Sequence, residues 1–550
     1  MSQDIRLISL ETGGNQAYIF ATNKLRNIVG ASELLYRAGT GYVTRALDAI
    51  GANYWPKDKD IKAIEKNPDQ DFEIIISTSG KAFLLARGED RAKAFITAWS
   101  GIVASEAPGV DAVAVYSKTP VDLSLKLDGE EGKSPNSYMR VFRETEKQMS
   151  LLRMREGLPL TRFQRLPIVA ECAYSGLPAV ALDNDGRPVS ASCRAQRDIY
   201  DDKDFRARMR KLFPDERSAE RCLSGLNSLE KLDWLAVIHA DGNGLGQLFI
   251  NFADHVRALV GKEQADGRHY VNYYRRFSNA LDEISAMAFK GTVEELWGYS
   301  RPDIVPIVVG GDDLTVVMDG YESIEFAERF MENFCSMTAT HEDTKPILES
   351  ANLPQLGMCA GISIAKPHFP FSQSYSMAEG LMKNAKQVKT QYGPDSIALD
   401  FHILYDSVST SISDIRSRLN IRDRTLTEKP YVIHEGKARE GTKLSEEWAE
   451  SHKFAKFALA AEAVKKLPSS QAHGVRDALF SEMRETQEAE WAFLLSSYPD
   501  FAKAWEKVQN DSGLYVAIDG KEGKPEYRTC YLDALEAMKF WQDREGGAKK

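Results

Sequence analysis

The chain has 550 residues, 43% of them hydrophobic, and a net charge of −10. That length allows roughly three or four domains with ample core, and the composition excludes large-scale disorder. The acidic balance disfavours broad nonspecific binding to nucleic acid but is compatible with a local basic groove. No apolar run approaches the roughly 18 residues of a membrane span. The N-terminus lacks a basic-then-apolar signal pattern, and six scattered cysteines make no disulfide framework, so a cytoplasmic location is expected.

In chain order, Ile5–Glu11 is the first strand candidate, and Phe72–Leu85 (FEIIISTSGKAFLL) is a hairpin candidate whose tip, Ser77-Thr78-Ser79-Gly80, carries no acid. Val110–Tyr116 predicts a further strand. Ser117–Ser134, rich in Pro, Gly and charge, predicts a linker, and Pro135–Arg155 a charged amphipathic helix. The next stretch holds Cys172 and Cys193 without a paired C-x-x-C, and Asn184–Pro188 makes a turn. A structural zinc needs four ligands; Cys222 is a distant third and no fourth is evident, so no zinc is expected. The basic run Arg206–Lys211 is compatible with a solvated helix face.

The next segment, DWLAVIHADGNGLGQLF, starts at Asp233. Trp234–Ala240 reads as a buried strand ending on Asp241, and Gly242-Asn243-Gly244 opens a helical pattern. An acid at the carboxyl end of a strand can hold a metal, while N–H groups of the Gly-rich turn, at Asn243 and Gly244, receive phosphate. A helix N-cap role for Asp241 is the plain alternative.

Val305–Met318 reads VPIVVGGDDLTVVM. Two β-branched runs flank Gly310-Gly311-Asp312-Asp313, the pattern of a hairpin with glycines in the turn and two aspartates at the tip. Adjacent carboxylates repel unless a cation lies between them, and magnesium suits one or two carboxylates plus substrate phosphates. A Gly-Asp turn that carries a second Asp by chance would look the same in the tetrapeptide alone. Together with Asp241, the hairpin suggests metals held by carboxylates of neighbouring strands, an arrangement for phosphoryl chemistry.

Met358–Ala365 reads as a strand, Ser372–Lys389 as a helix with lysines near its end, and Ser396–Ile403 as another strand. The order approaches a ferredoxin-like β-α-β-β-α-β palm with a small addition. A lysine there is placed to neutralise a triphosphate; favourable helix C-terminal charge explains any single one equally well. Beyond a mixed Leu426–Thr442 linker, Glu446–Lys466 and Val475–Ser497 read as amphipathic helices, with Trp448, Trp491 and Trp505 expected in the core. A Leu514–Ile518 strand and a Leu532–Trp541 helix close the chain.

Four segments together resemble the large palm-domain subunit of type III CRISPR effector complexes, the CRISPR polymerase or cyclase family. They are Ile19–Leu35, similar to that family's opening strand-to-helix passage, Asp241–Gly246, Gly310–Asp313, and Gly361–Lys386 ending in Ala-Lys. The resemblance spans roughly residues 1–435, with weaker support from Ser396–His402 and Leu426–Ile433. It implies an α+β chain with two palms of nucleotidyl cyclase or polymerase type. The expected domains are a catalytically degenerate first palm (1–160), a linking module that is a zinc-free ribbon remnant (161–228), a second palm with the GGDD hairpin (229–425), and a mainly helical domain (426–550).

The resemblance further implies synthesis of a cyclic or oligomeric adenylate messenger from ATP in antiviral defence. Asp241, Asp312 and Asp313 would bind Mg2+ or Mn2+; Asn243, Gly244, Gly310 and Gly311 would border the nucleotide, and Lys386 would contact the triphosphate. Guide RNA and other effector-complex subunits are the implied partners. The family's N-terminal His-Asp nuclease domain is expected to be absent, since the first palm pattern starts near Met1. The competing reading is a catalytically silent or gated structural subunit. A diguanylate cyclase would carry Glu and Phe where this chain has Asp313 and Leu314. A viral-type RNA polymerase would place a second Asp near Gly246.

Overall fold

The computed structural model describes residues 4–541 apart from 56–62, 156–165, 225–228, 230, 299–302, 406–410, 438–445, 510–511 and 520–524. Two mixed sheets organise the first four-fifths of the chain. In the first, Ile5–Gly13 lies between Lys81–Arg87 and Asp111–Tyr116, antiparallel to both. Phe72–Thr78 continues the sheet beyond Lys81–Arg87, with the two-residue strand Tyr54–Trp55 at its edge. In the second, Leu235–Gly242 lies between Asp313–Asp319 and Met358–Ala365, antiparallel to both, and Ile304–Gly310 follows Asp313–Asp319.

The four main strands of each sheet, numbered along the chain, thus run in the spatial order 4-1-3-2, that of a ferredoxin-like β-α-β-β-α-β unit. The first unit takes its crossover helices from Leu25–Gly39 and Glu89–Glu106, the second from Gly267–Trp297 and Ser323–Thr340. Met358–Ala365 therefore closes the second unit. The helix Phe371–Ala385 and the parallel strand Ile397–Ile403 are the addition.

Strand composition explains the burial. Every residue of MCAGISIA is buried, the apolar continuity expected of a strand covered on both faces. Helix Phe371–Ala385 lies directly on it: a Cβ at Gly361 would come within 2.0 Å of the Ala378 carbonyl oxygen. This close approach holds the end of the helix, and so Lys386, beside the second sheet's first strand.

The two units are joined through buried charge. Glu73, on the first unit's hairpin, is fully buried and paired with Arg268 at 2.6 Å and with Arg275, both on the long helix Gly267–Trp297. Ser32 donates to the Ile307 carbonyl in the second hairpin.

Some expectations need correction. Ile19 ends a short helix, Asn15–Ile19, so the opening passage runs helix, loop, helix rather than strand to helix. The helix predicted over Glu446–Lys466 is broken into Glu446–Ser451 and Phe454–Val464. The one over Val475–Ser497 divides into Ser469–Leu479 and Arg484–Ser497. Trp491 and Trp505 are core residues, but Trp448 is only half-buried. The limit expected at residue 425 is interleaved. Arg424-Thr425 pairs with Tyr527-Arg528 in a small C-terminal sheet, whereas Tyr431–His434 returns to pair with Ile397–Ile403.

In the linking region a small hairpin, Ala179–Leu182 with Pro188–Ser190, brings together the turn Cys172-Ala-Tyr-Ser175 and the start of the helix Ala191–Asp198, which Ser190 caps. Ser175 and Ser190 hydroxyls lie 3.2 Å apart, and the Ser190 hydroxyl accepts from the Cys193 N–H. Cys222 is buried in the main apolar core instead. The Arg206–Lys211 run is ion-paired, Arg208 to Glu33 at 2.6 Å and Arg210 to Glu220 at 2.6 Å. No helix among the described residues is long and apolar enough to cross a membrane.

Candidate active site

The register of the second sheet assembles the acids. Asp241 stands directly opposite Asp313 across the antiparallel pair, and Asp313 opposite Gly310 across the hairpin. Asp312 occupies the turn between them. Oxygens of Asp241, Asp312 and Asp313 all lie within 4.8 Å of one another; the first two residues are half-buried and Asp313 is open to solvent. Three carboxylates at such range are held against their own repulsion. Removal from bulk water inside the cleft, then the neighbouring Asp241, pushes the Asp312 carboxyl up to about 6. Asp313, although water reaches its surface, is pushed well up by the protein crowded around its carboxyl, then by Asp312 and Asp241. Hard oxygen donors converging in this way fit Mg2+ or Mn2+.

The turn is braced from behind. Gly311 adopts φ +60°, its N–H donates to Asp282 at 2.6 Å, and its carbonyl accepts from the Ser285 hydroxyl. Both braces come from the long helix Gly267–Trp297. Gly310 lies beside Asp282, where a Cβ would meet its carboxylate at 3.4 Å. Gly242 is the tightest approach, since a Cβ there would lie 2.7 Å from the Asp312 side chain. Its N–H donates to the Asp312 carbonyl at 3.2 Å.

Lys386 caps helix Phe371–Ala385 and forms an ion pair with Asp241, with a second hydrogen bond to the Gly242 carbonyl at 3.1 Å. Asn243 is a correction. Its side chain is fully buried and donates to the Ser396 carbonyl at 2.9 Å, while its N–H donates to Gly357 at 2.8 Å. It ties the loop to the fold instead of facing the cleft, because a polar side chain under this loop must find a partner inside. Gly244, with φ +77°, starts the short helix Leu245–Ile250.

Strand alternation adds two residues that the sequence reading missed. His239 and Thr315 lie one step further along the same strand faces as Asp241 and Asp313, and their side chains meet at 3.0 Å. Burial lowers the His239 pKa, so the imidazole is neutral at pH 7. Its ring centroid is 5.2 Å from that of Tyr375, which stacks on Phe20 of the first unit at 4.2 Å. The period of two, applied outward from each acid, would have found His239 and Thr315. Asp282, Ser285 and Tyr375 come from other elements and carry no local signal.

The acids open on a cleft of about 890 Å³ between the two units. Its second-unit wall includes His239, Asp241, Asp312, Asp313 and Lys383. Its first-unit wall includes Thr78, Ser79 and Lys81 of the other hairpin, with Arg143. The volume is in the range of substrate pockets.

A family model described as Cas10/Cmr2, second palm domain, matches residues 234–398. Over that segment the chain is similar to the family's second palm domain. Solved structures with similar folds include the Csm1-Csm4 cassette in complex with pppApA, at 14% identity and a TM-score of 0.50, covering 98% of this chain and 69% of that one. The cassette in complex with cA3 aligns at 12% identity and a TM-score of 0.47 over 98% of this chain and 70% of that one. The apo cassette gives 14% and 0.40 over 72% of this chain, which spans 54% of the apo chain's length. At these identities the likeness is one of fold. No curated protein sequence matches the chain.

Proposed function

We propose that this chain is a metal-dependent nucleotidyltransferase that makes a cyclic or oligomeric adenylate from ATP, as a second messenger in antiviral defence. The observation that carries the reading is the convergence of Asp241, Asp312 and Asp313 at the mouth of a cleft large enough for nucleotides. Asp241, Asp312 and Asp313 would hold Mg2+ or Mn2+, which when bound supplies charge stabilisation at phosphate and activation of an attacking hydroxyl. The reaction is attack of a ribose hydroxyl on an α-phosphorus, forming a phosphodiester and releasing pyrophosphate. The chain's part is positioning and charge. Lys386, paired with Asp241 beside the cleft, would contact triphosphate oxygens. Gly310 and Gly311 keep the hairpin tip free of side chains that would block the nucleotide. Lys81 and Arg143 give the opposite wall two cations for a second nucleotide. The Csm1 likeness, with solved complexes of pppApA and cA3, supports this substrate class.

The division into a first palm (1–160), a linking module (161–228), a second palm (229–425) and a mainly helical remainder (426–550), the last two interleaved across Arg424–His434, belongs to the same proposal. So does assembly with guide RNA and further subunits, for which the Csm1-Csm4 cassettes are the precedent, and a cytoplasmic location.

The test is incubation of the purified chain with ATP and Mg2+ or Mn2+, with products resolved by mass spectrometry. Pyrophosphate and a cyclic or oligomeric adenylate are expected. Asp312→Ala with Asp313→Ala should reduce turnover more than about 100-fold with an unchanged circular-dichroism spectrum, the scale of losing metal ligation. Wild-type turnover in the double variant would remove the metal-site reading. The Lys386–Asp241 pair favours one second reading, a gated enzyme whose lysine must first leave the acid. Product formed only when partner subunits are added would select it.

A further inference from the structure

A second pocket, of about 300 Å³, lies behind the lysine-bearing helix end, between it and the C-terminal region. Among the described residues, three cations line it, Arg416, Lys429 and Arg528, and no carboxylate does. Their counter-ions sit outside the wall. Arg416 is paired with fully buried Asp400, Lys429 with buried Asp533 at 3.4 Å and with Glu536 at 3.3 Å, and Arg528 with Glu526 at 3.3 Å. Lys429 is committed to its two carboxylates, so the wall presents mainly the guanidinium donors of Arg416 and Arg528 to whatever enters, with their counter-ions behind them.

The remaining wall is aromatic and amide. Trp448, expected in the core, borders the pocket and stacks on His452 at 3.9 Å, with 25° between the rings. His452 is itself locked: Nδ1 bonds the Pro430 carbonyl at 2.9 Å and Nε2 accepts from Arg528 at 3.1 Å. Burial lowers its pKa to about 4, which keeps Nε2 an acceptor. The amides of Gln387 and Gln391, just after Lys386, lie on the wall together with those of Asn384 and Asn420. Cations for a phosphate, a rigid indole for a ring and carboxamides for a base edge are the three elements of nucleotide recognition. The volume is at the lower end of small-molecule sites, far above what a bound water needs.

We propose that this pocket binds a nucleoside phosphate unit, with the phosphate on Arg416 and Arg528 and the base against Trp448. A free mononucleotide and the phosphorylated end of an oligonucleotide share that chemistry. The site is separate from the acidic cleft and does not rest on the activity proposed there.

Equilibrium binding of AMP, 5′-phosphorylated diadenylate, adenosine and inorganic phosphate to the full chain in EDTA tests it. Saturable binding of AMP or of the dinucleotide is expected, with adenosine and phosphate at least 10-fold weaker. Equal affinity for AMP and the dinucleotide would assign a mononucleotide site, and tighter dinucleotide binding an oligonucleotide end. Gln387 is exposed, so its variants should fold. Gln387→Glu should weaken AMP binding about 10-fold and Gln387→Lys strengthen it, the opposite signs expected of an anion site. Asp312→Ala with Asp313→Ala should leave binding unchanged. Absence of saturable binding, indifference to both Gln387 variants, or loss of binding in the acidic-tip double variant would each overturn the proposal.

Discussion

The two hairpins that face each other across the cleft share a framework and differ in what they display. In the first unit Lys81 stands opposite Glu11; at the matching register of the second, Asp313 stands opposite Asp241. The residue after the first-strand acid is Thr12 in one and Gly242 in the other. The N–H of each donates to the carbonyl at the matching tip residue, Thr12 to Gly80 at 2.8 Å and Gly242 to Asp312 at 3.2 Å. Where Thr12 has a side chain, Gly80 has none; where Asp312 has one, Gly242 has none. A Cβ on Gly80 would come within 2.3 Å of the Thr12 hydroxyl, and one on Gly242 within 2.7 Å of Asp312. One crowded spot is thus solved in two ways. The backbone tolerates a side chain on only one partner, and the second unit uses it to bring a third carboxylate into range. The first unit instead places a lysine at the cleft, and its Glu11 is paired outward with Arg153 at 3.1 Å. The same strand order therefore carries acid on one wall and cation on the other.

The largest effect expected of breaking this arrangement comes from the tie between the units. Arg275→Ala leaves Glu73 short of one partner in full burial, and removal of one member of such a pair costs about 3–5 kcal/mol. A urea midpoint close to that of the wild type would show that Arg268 alone satisfies Glu73.

Gly242→Ala tests the crowded spot directly. It should displace Asp312, weaken Mn2+ binding and lower turnover about 10- to 100-fold, the range seen when support of a metal ligand is lost. The reciprocal change, Gly80→Ala, meets Thr12 and a φ of +67°, and should cost about 1–2 kcal/mol of stability with Mn2+ affinity kept. Equal losses of Mn2+ affinity in both variants would break the distinction between the two tips.

The smallest effect is in pH. Asp312 titrates near 6 in the fold and near 3.8 when unfolded, so the folded state binds the extra proton between those values. Stability of the metal-free chain should fall as pH rises from about 4 to 6, by a few degrees in Tm, relative to Asp312→Asn. Added Mg2+ should restore it above pH 6. A metal-free Tm difference that stays constant across this window would mean that the acids do not strain one another.

Much of the second unit was legible because its signals are local. The β-branched runs on either side of Gly310–Asp313, the fully apolar Met358–Ala365 strand and the Gly-rich turn after Asp241 each announce themselves within about ten residues, the scale on which period and turn chemistry act. The assignment of Asn243 to the nucleotide failed because a loop's polarity does not say which way it faces; burial beneath Gly357 and Ser396 decided that. Trp448 was misplaced for a similar reason. An apolar period puts a tryptophan on a helix face, but breakage of that helix at His452 leaves it at a pocket edge.

By itself, the amino-acid sequence determined the two palm patterns, the three acids and the lysine after Ala385, because strand period, glycine turns and helix phase are properties of neighbours in the chain. Tertiary structure decided what no neighbour encodes. The register sets Asp241 against Asp313, the long helix holds the turn through Asp282 and Ser285, and the first unit supplies Lys81 to the facing wall. These are meetings of residues far apart in sequence, fixed only when buried strands and ion pairs leave one packing that satisfies them all.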